Sequence, residues 1–268
     1  MSFVNELDVT LAVALAAGKI LLQGHGHRHQ SASKRTANDL VTEFDTRSEA
    51  LIVKELTKAF PADAILAEEG GLFQTSERPP RRWLVDPLDG TTNFAHGLPF
   101  FCVSIALEEK GALVCGVVHA PALGMTFHAT RGGGAFLDGQ PIHVSDAPDL
   151  GRALLATGFP YDRAVSEDNN FDQFIALQRR AQGVRRVGSA ALDLSLVARG
   201  AFDGYWEMKL KPWDVAAGAL LVSEAGGRVT GWRGEALDVD RGACVATNGL
   251  VHEALLDELS RAGIPASA

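Results

Sequence analysis

Two short apolar runs, Ala64-Ile65-Leu66-Ala67 and Trp83-Leu84-Val85, each end on an acid, Glu68 and Asp86. Runs so short and apolar read as strands buried on both faces, which need a layer of structure over each face. Open α/β sheets place their ligands beyond the carboxyl ends of their strands. Two strands that each deliver a carboxylate at that end therefore mark a site as well as a fold class. Around them, helices are expected over 5–23, with Leu7, Leu11, Ala14, Leu15, Gly18 and Leu22 at helical spacing, and over 46–60, closed by Pro61. A hairpin turns at Glu109-Lys110-Gly111, and Asp138-Gly139 reads as a tight turn. The pattern pauses near 146–151, dividing the chain into an α+β domain over 1–148 and an α/β domain over 149–268. Helices in the second are expected over 170–182, 189–199 and 214–225, with a last one at the C-terminal end.

The densest chemistry lies in Asp86-Pro87-Leu88-Asp89-Gly90-Thr91-Thr92-Asn93-Phe94. Pro87 stiffens the backbone between the two acids, so both carboxylates and the Leu88 carbonyl can face one point, a donor set suited to a hard cation such as Mg²⁺. Gly90-Thr91-Thr92 reads as a helix start whose N–H groups could hold an anion beside it. Asp-Pro and Asp-Gly also mark plain turns, but a turn alone leaves the acids at the other strand ends unexplained. Further along, Trp213-Asp214-Val215-Ala216-Ala217-Gly218 puts an acid at the head of a helix of small residues, where it can also serve as a cap.

Charge narrows the partners. The formal net charge is −8, which opposes binding to nucleic acid or anionic lipid. The three cysteines, Cys102, Cys115 and Cys244, have no metal-ligand spacing and fit a reducing compartment. The N-terminus is acidic where a signal peptide is basic, and the apolar run 11–17 is too short to span a bilayer, so a cytoplasmic protein is expected.

In these motifs the sequence resembles the inositol monophosphatase family. The first motif is Asp86 to Phe94, and the second is Trp213 to Gly218 with Glu224-Ala225-Gly226-Gly227. Lys34, Asp39-Leu40-Val41-Thr42 with Asp45, Glu68-Glu69, Gly188-Ser189-Ala190-Ala191 and Glu207 fall between and around them in the family's order. The resemblance implies a five-layer αβαβα sandwich shared with fructose-1,6-bisphosphatases, a homodimer, and two or three Mg²⁺ ions with sensitivity to lithium. It implies metal ligands at Glu68, Asp86, the Leu88 carbonyl, Asp89 and Asp214, and a water activated by Glu68's ion, Thr91 and Asp45. Gly90 and Thr91 would hold the phosphate, Asp89, Ala190, Glu207 and Asp214 the substrate hydroxyls, and Lys34 would sit on a mobile loop. The implied substrate is a small phosphorylated polyol, inositol 1-phosphate first. Histidinol phosphate, fructose-1,6-bisphosphate and 3′-phosphoadenosine 5′-phosphate stand as alternatives, and so does a regulatory binding protein that keeps the fold.

Other features have plainer readings. His25, His27 and His29 read as solvated loop residues, and Gly132-Gly133-Gly134 as a hairpin turn, since no Walker lysine follows. Arg179, Arg180, Arg185 and Arg186 read as a basic helix end, and Ser189 lacks the Gly-x-Ser-x-Gly of a nucleophile elbow.

Overall fold

The structure is a computed structural model and describes residues 3–26, 32–33, 40–73 and 79–266. The Lys34 expectation, and those for Asp39, His27 and His29, lie outside the described residues.

The outermost layer is a helix pair, α1 (Val4–Gly24) and α2 (Glu43–Ala59), with a two-strand ladder, β1 (Ala32–Ser33) and β2 (Leu40–Val41), between them in sequence. Beneath it runs an eight-stranded sheet built from β3 (Ala64–Ala67), β4 (Gly71–Phe73), β5 (Arg81–Asp89), β6 (Cys102–Glu109), β7 (Ala112–Ala120), β8 (Met125–Thr130), β9 (Gly134–Leu137) and β10 (Gln140–Ile142). Its order is β10-β9-β8-β7-β6-β5-β3-β4. Every neighbouring pair is antiparallel except β3 with β5. That parallel pair is the consequential one, because it brings Glu68 and Asp86 out side by side, with Ala67 opposite Val85.

A short helix, α3 (Thr91–Ala95), follows β5. The second half of the chain adds β11 (Leu154–Thr157), α4 (Phe171–Arg180), β12 (Gly183–Arg185), α5 (Ala190–Ala198), β13 (Gly204–Glu207), α6 (Pro212–Glu224), β14 (Arg228–Thr230), β15 (Cys244–Thr247) and α7 (His252–Arg261). Its five strands form a mixed sheet in the order β12-β11-β13-β15-β14. The helices α5 and α6 fill the space between the two sheets, and α4 and α7 cover the far side. The result is the αβαβα sandwich.

Alternation along the strands explains the layering. On β5, Trp83 and Val85 face α1 and α2 among Ala14, Leu21, Ile52 and Leu56, whereas Leu84 faces Leu194 of α5 and Ala217 and Leu221 of α6. The middle layer is thin because α6 is made of small residues. A Cβ on Gly218 would lie 2.4 Å from Leu194 Cβ, so glycine is what lets α5 and α6 approach this closely. The close fit sets how far Asp214, at the head of α6, stands from the strand-end acids.

The structure departs from expectation in a few places. β5 does not stop before Asp86 but continues to Asp89, with a register shift against β6 between the two acids. The strands β4, β10 and β12 were not expected, being only three residues each. The expected turn at Asp138-Gly139 is present, with φ of 50° and 78°. α1 runs for 21 residues and is long and apolar enough to cross a membrane, unlike the short run anticipated there. Here Val13, Ala14, Ala17 and Leu21 of that helix are buried in the core instead.

The far layer contains a titratable pin. His252 is fully buried, its Nδ1 2.9 Å from Thr247 Oγ1 and its Nε2 2.9 Å from Thr230 Oγ1. Burial, aided by Arg228, pushes its pKa down from 6.5 to about 4. The unfolded chain therefore binds the proton first, and the stabilisation is complete above pH 6.5 and lost as pH falls toward 4. Urea unfolding should show roughly 2 kcal/mol less stability at pH 5 than at pH 7 from this group. His252→Gln should flatten that part of the pH profile, and an unchanged slope in the variant would contradict the assignment.

Candidate active site

The strand ends and helix starts bring their acids within electrostatic reach of one another. Asp86 and Asp89 come from the end of β5, Glu68 from the residue after β3, and Asp214 from the third residue of α6. Pro87 has no N–H to offer its neighbours, and its carbonyl is held by the Ser48 hydroxyl of α2 at 2.9 Å. The Asp86 carboxylate accepts from the Leu88 N–H (2.9 Å), which closes the turn between the two acids. Asp89 accepts from the Ser189 hydroxyl (2.7 Å) and the Ala191 N–H (2.8 Å), so the head of α5 fixes its direction. Asp214 accepts from the Lys211 N–H (2.7 Å), behind Pro212 at the first helical position. The Ser104 hydroxyl of β6 donates to the Trp213 carbonyl (3.0 Å) and ties this helix head to the large sheet.

A second set carries a hydroxyl. Thr42 caps α2, and Asp45 three residues later accepts from its N–H (2.8 Å) and its hydroxyl (2.6 Å). The other oxygen of Asp45 accepts from the Thr91 hydroxyl at 3.0 Å. The Leu88 carbonyl lies at the same distance from that hydroxyl, which has one proton to give. Gly90 opens this corner. Its φ is +92°, and a Cβ there would stand 2.8 Å from the Phe100 carbonyl oxygen. Asn93 then donates to the Phe100 carbonyl (2.7 Å) and to the Val187 carbonyl (2.9 Å), locking α3 to the segment that leads into α5.

On the opposite wall, Glu207 ends β13 and accepts from the Tyr205 hydroxyl at 2.5 Å. Asp193 of α5 is buried nearby, and its Oδ1 has no hydrogen-bond partner among the described residues. Of the substrate-contact expectations, Ala190 is the first residue of α5, and Asp214 lies close enough to Asp89 and Glu207 to feel both charges.

The electrostatics follow from this crowding. Burial first, then the charges of Glu68, Asp89 and Asp214, hold the Asp86 carboxyl well above the usual range. Asp214 is raised in the same way, by burial and then by Asp89 and Glu68. Burial lifts Asp89 to about 6 against the pull of its Ser189 and Ala191 hydrogen bonds. Glu207 is lifted by burial to about 7, with Tyr205 and Arg186 acting the other way. Asp45 is also raised by burial. Among the described residues, Asp86, Asp89 and Asp214 take part in no ion pair.

These acids are neighbours by field rather than by contact, since no group of three or more metal-ligating side chains stands at ligand spacing among the described residues. Their chemistry nonetheless fits a hard divalent cation: the donors are all oxygen, and the buried acids raise one another's pKa by their charge. The residues that could hold such an ion are Glu68, Asp86, Asp89, Asp214 and the Leu88 carbonyl.

The inositol monophosphatase family matches residues 3–263. The chain belongs to that family. An inositol monophosphatase structure from Anabaena covers 97% of this chain and 96% of its own, at 43% identity and a TM-score of 0.87. The Nus factor SuhB of Pseudomonas aeruginosa is 44% identical over 93% of this chain and 94% of its own. A more distant structure, an IMPase/NADP phosphatase complexed with Mg²⁺ and phosphate, is 26% identical with a TM-score of 0.81, covering 93% and 92%. As an inositol monophosphatase family member, the chain is a phosphoric monoester hydrolase.

Several residues of this family member's site carried no signal in sequence. Asp193 and Arg186 act on Glu207 from elsewhere in the chain, where only tertiary contact reveals them, and Tyr205 acts from two residues earlier on the same strand. Ser189 was visible as part of a motif but not as a donor to Asp89. The Thr42–Asp45 capping pair has the spacing that announces a helix start. Gly132 and Gly134 do form a turn, and their N–H groups grip the Glu224 carboxylate at 2.8 and 2.9 Å. Arg179 and Arg180 close α4, and Arg180 pairs with Glu258, whereas Arg186 turns toward Asp193 and Glu207. Gly90→Ala combines backbone strain with a clash, and should cost about 1–3 kcal/mol. Circular dichroism should register a Tm lower by roughly 3–10 °C, and a variant as stable as the parent would show that the Gly90 corner can relax.

Proposed function

We propose that this protein is a Mg²⁺-dependent phosphomonoesterase that hydrolyses inositol 1-phosphate to inositol and phosphate. The observation that carries the reading is the parallel pair β3–β5, which sets Glu68 beside Asp86 while α6 brings Asp214 within electrostatic reach of both. Glu68, Asp86, the Leu88 carbonyl, Asp89 and Asp214 would hold two or three Mg²⁺. Bound there, they would supply positive charge against the phosphate dianion and a water of lowered pKa.

The chain's own residues would do the rest. The Gly90 and Thr91 N–H groups bind phosphate oxygens, as preorganised backbone donors do at anionic centres. Thr91 orients the attacking water and takes its proton while passing its own hydroxyl proton to Asp45, to which it is hydrogen-bonded. As the new P–O bond forms, the ester P–O bond breaks on the opposite side, and the departing alcohol takes its proton from solvent. Asp89, Ala190, Glu207 and Asp214 hold the polyol hydroxyls. Glu207, with a pKa near 7, can accept or donate at neutral pH. The same machinery suits histidinol phosphate, fructose-1,6-bisphosphate or 3′-phosphoadenosine 5′-phosphate, since function lies in the pocket and not in the fold.

We place the enzyme in the cytoplasm, as a homodimer. Tyr161, Val165, Phe171 and Ile175, near one another in sequence in the second half, are each exposed, which supports self-association. The similarity to the Nus factor SuhB supports a second reading, in which the fold also serves as a binding partner in a regulatory assembly.

Phosphate release across the four esters, with and without Mg²⁺, decides between these readings. Mg²⁺-dependent turnover highest on inositol 1-phosphate is expected, and no release from any ester would leave only the binding role. Asp89→Asn should weaken Mg²⁺ binding about tenfold or more and lower turnover with it, and normal activity in that variant would remove Asp89 from the metal site. Glu207→Ala should lower preference for the polyol ester about tenfold, with Mg²⁺ affinity retained. Unchanged selectivity would take Glu207 out of the substrate pocket.

A further inference from the structure

The Glu207 carboxylate is placed by a missing side chain. β11 and β13 are parallel neighbours, with Thr157 opposite Trp206, so Gly158 and Glu207 are the next residues along the two strands. A Cβ built on Gly158 would fall 2.1 Å from both carboxylate oxygens of Glu207 and 2.2 Å from its carboxyl carbon. No carbon–oxygen contact survives at that distance. The backbone itself does not ask for glycine here, since Gly158 is not among the residues of positive φ. What requires glycine is the carboxylate lying on it.

Both sides of this contact are pinned. Glu207 accepts from the Tyr205 hydroxyl (2.5 Å), and its backbone carbonyl accepts from Trp232 Nε1 (3.0 Å). The Gly158 carbonyl accepts from Asn170 Nδ2 (2.7 Å), and Asn170 Oδ1 accepts from Trp206 Nε1 (2.8 Å). Asn170 is itself buried and sits at φ +71°. Neither the glycine nor the acid can shift without breaking buried hydrogen bonds, which are costly to leave unmade. An added methyl group would therefore be relieved by turning the carboxylate off Gly158 and away from Tyr205.

We infer that Gly158 is a positioning residue that aims the Glu207 carboxylate at the substrate's hydroxyls and so sets the preference for polyol phosphates over esters without hydroxyls. This rests on Glu207 serving the substrate pocket. The variant Gly158→Ala reads it directly. KM for inositol 1-phosphate should rise about tenfold, the loss of a well-placed hydrogen bond to a charged group. Turnover number, the Mg²⁺ activation constant and hydrolysis of p-nitrophenyl phosphate should stay within about twofold, because the change is confined to ground-state binding of the polyol. In the double variant with Glu207→Ala, the KM should be no higher than for Glu207→Ala alone, as expected for two residues acting through one group. Additive effects, or a KM unmoved by Gly158→Ala, overturn the proposal.

If Glu207→Ala alone leaves selectivity untouched, the pocket reading fails and the selectivity claim falls with it. The positioning claim is then decided by a crystal structure of Gly158→Ala. A carboxylate turned away from Tyr205 upholds it, and one still hydrogen-bonded there and in place overturns it. Should Gly158→Ala not fold, Tyr205→Phe loosens the same carboxylate without overpacking. It should raise KM for the polyol ester several-fold, and an unchanged KM overturns the proposal.

Discussion

The governing constraint is the mutual repulsion of carboxylates gathered at one end of the interlayer space. Asp86 and Asp214 are held well above their ordinary range, and each feels the other acids as well as its own burial. Left to themselves, such groups would move apart or take protons. They stay because each is fastened to something stiffer than its own side chain. Asp86 is closed onto the Leu88 N–H, Asp89 is gripped by the head of α5, and Asp214 is folded back on the N–H that precedes α6. The frame stores an electrostatic demand that a hard cation satisfies.

The surrounding architecture can be understood as support for that demand. One parallel strand pair in an otherwise antiparallel sheet is enough to deliver two acids at one edge. A helix of alanines and glycine is thin enough to bring a further one from between the sheets. The opposite wall is different in kind. There the Glu207 carboxylate is steered by Tyr205, by the positive field of Arg186 and by the open surface of Gly158. On the proposed function, one wall answers to charge neutralisation, and the other to the shape and hydroxyls of the substrate.

Much of the first wall was legible in the chain. Glu68, Asp86, Asp89 and Thr91 sit at the ends of short apolar runs or at helix starts, where local rules place ligand-binding groups. Their partners were less visible because nothing local marks them. Ser48 reaches the Pro87 carbonyl from 39 residues away, and Ser189 reaches Asp89 from 100. The strands β4, β10 and β12 escaped notice because three residues carry too little alternation to stand out from a turn. The extension of β5 through Asp86 to Asp89 was hidden by Pro87, which usually interrupts a ladder and is accommodated here by a register shift.

The sequence by itself determined the alternation of strands and helices, the acids at strand ends, and the family whose motifs occur in this order, because hydrophobic period, capping and turn chemistry act over a few residues. It determined the order of the chemistry along the chain. Only the tertiary structure decided which of these groups meet. Asp214 lies 125 residues beyond Asp89, and no local rule relates them; the thickness of the α5–α6 layer does. The same holds for Gly158, an ordinary residue until two parallel strands set it beside Glu207. Local physics chooses the groups, and packing, which acts between residues far apart in sequence, sets the distances at which they act.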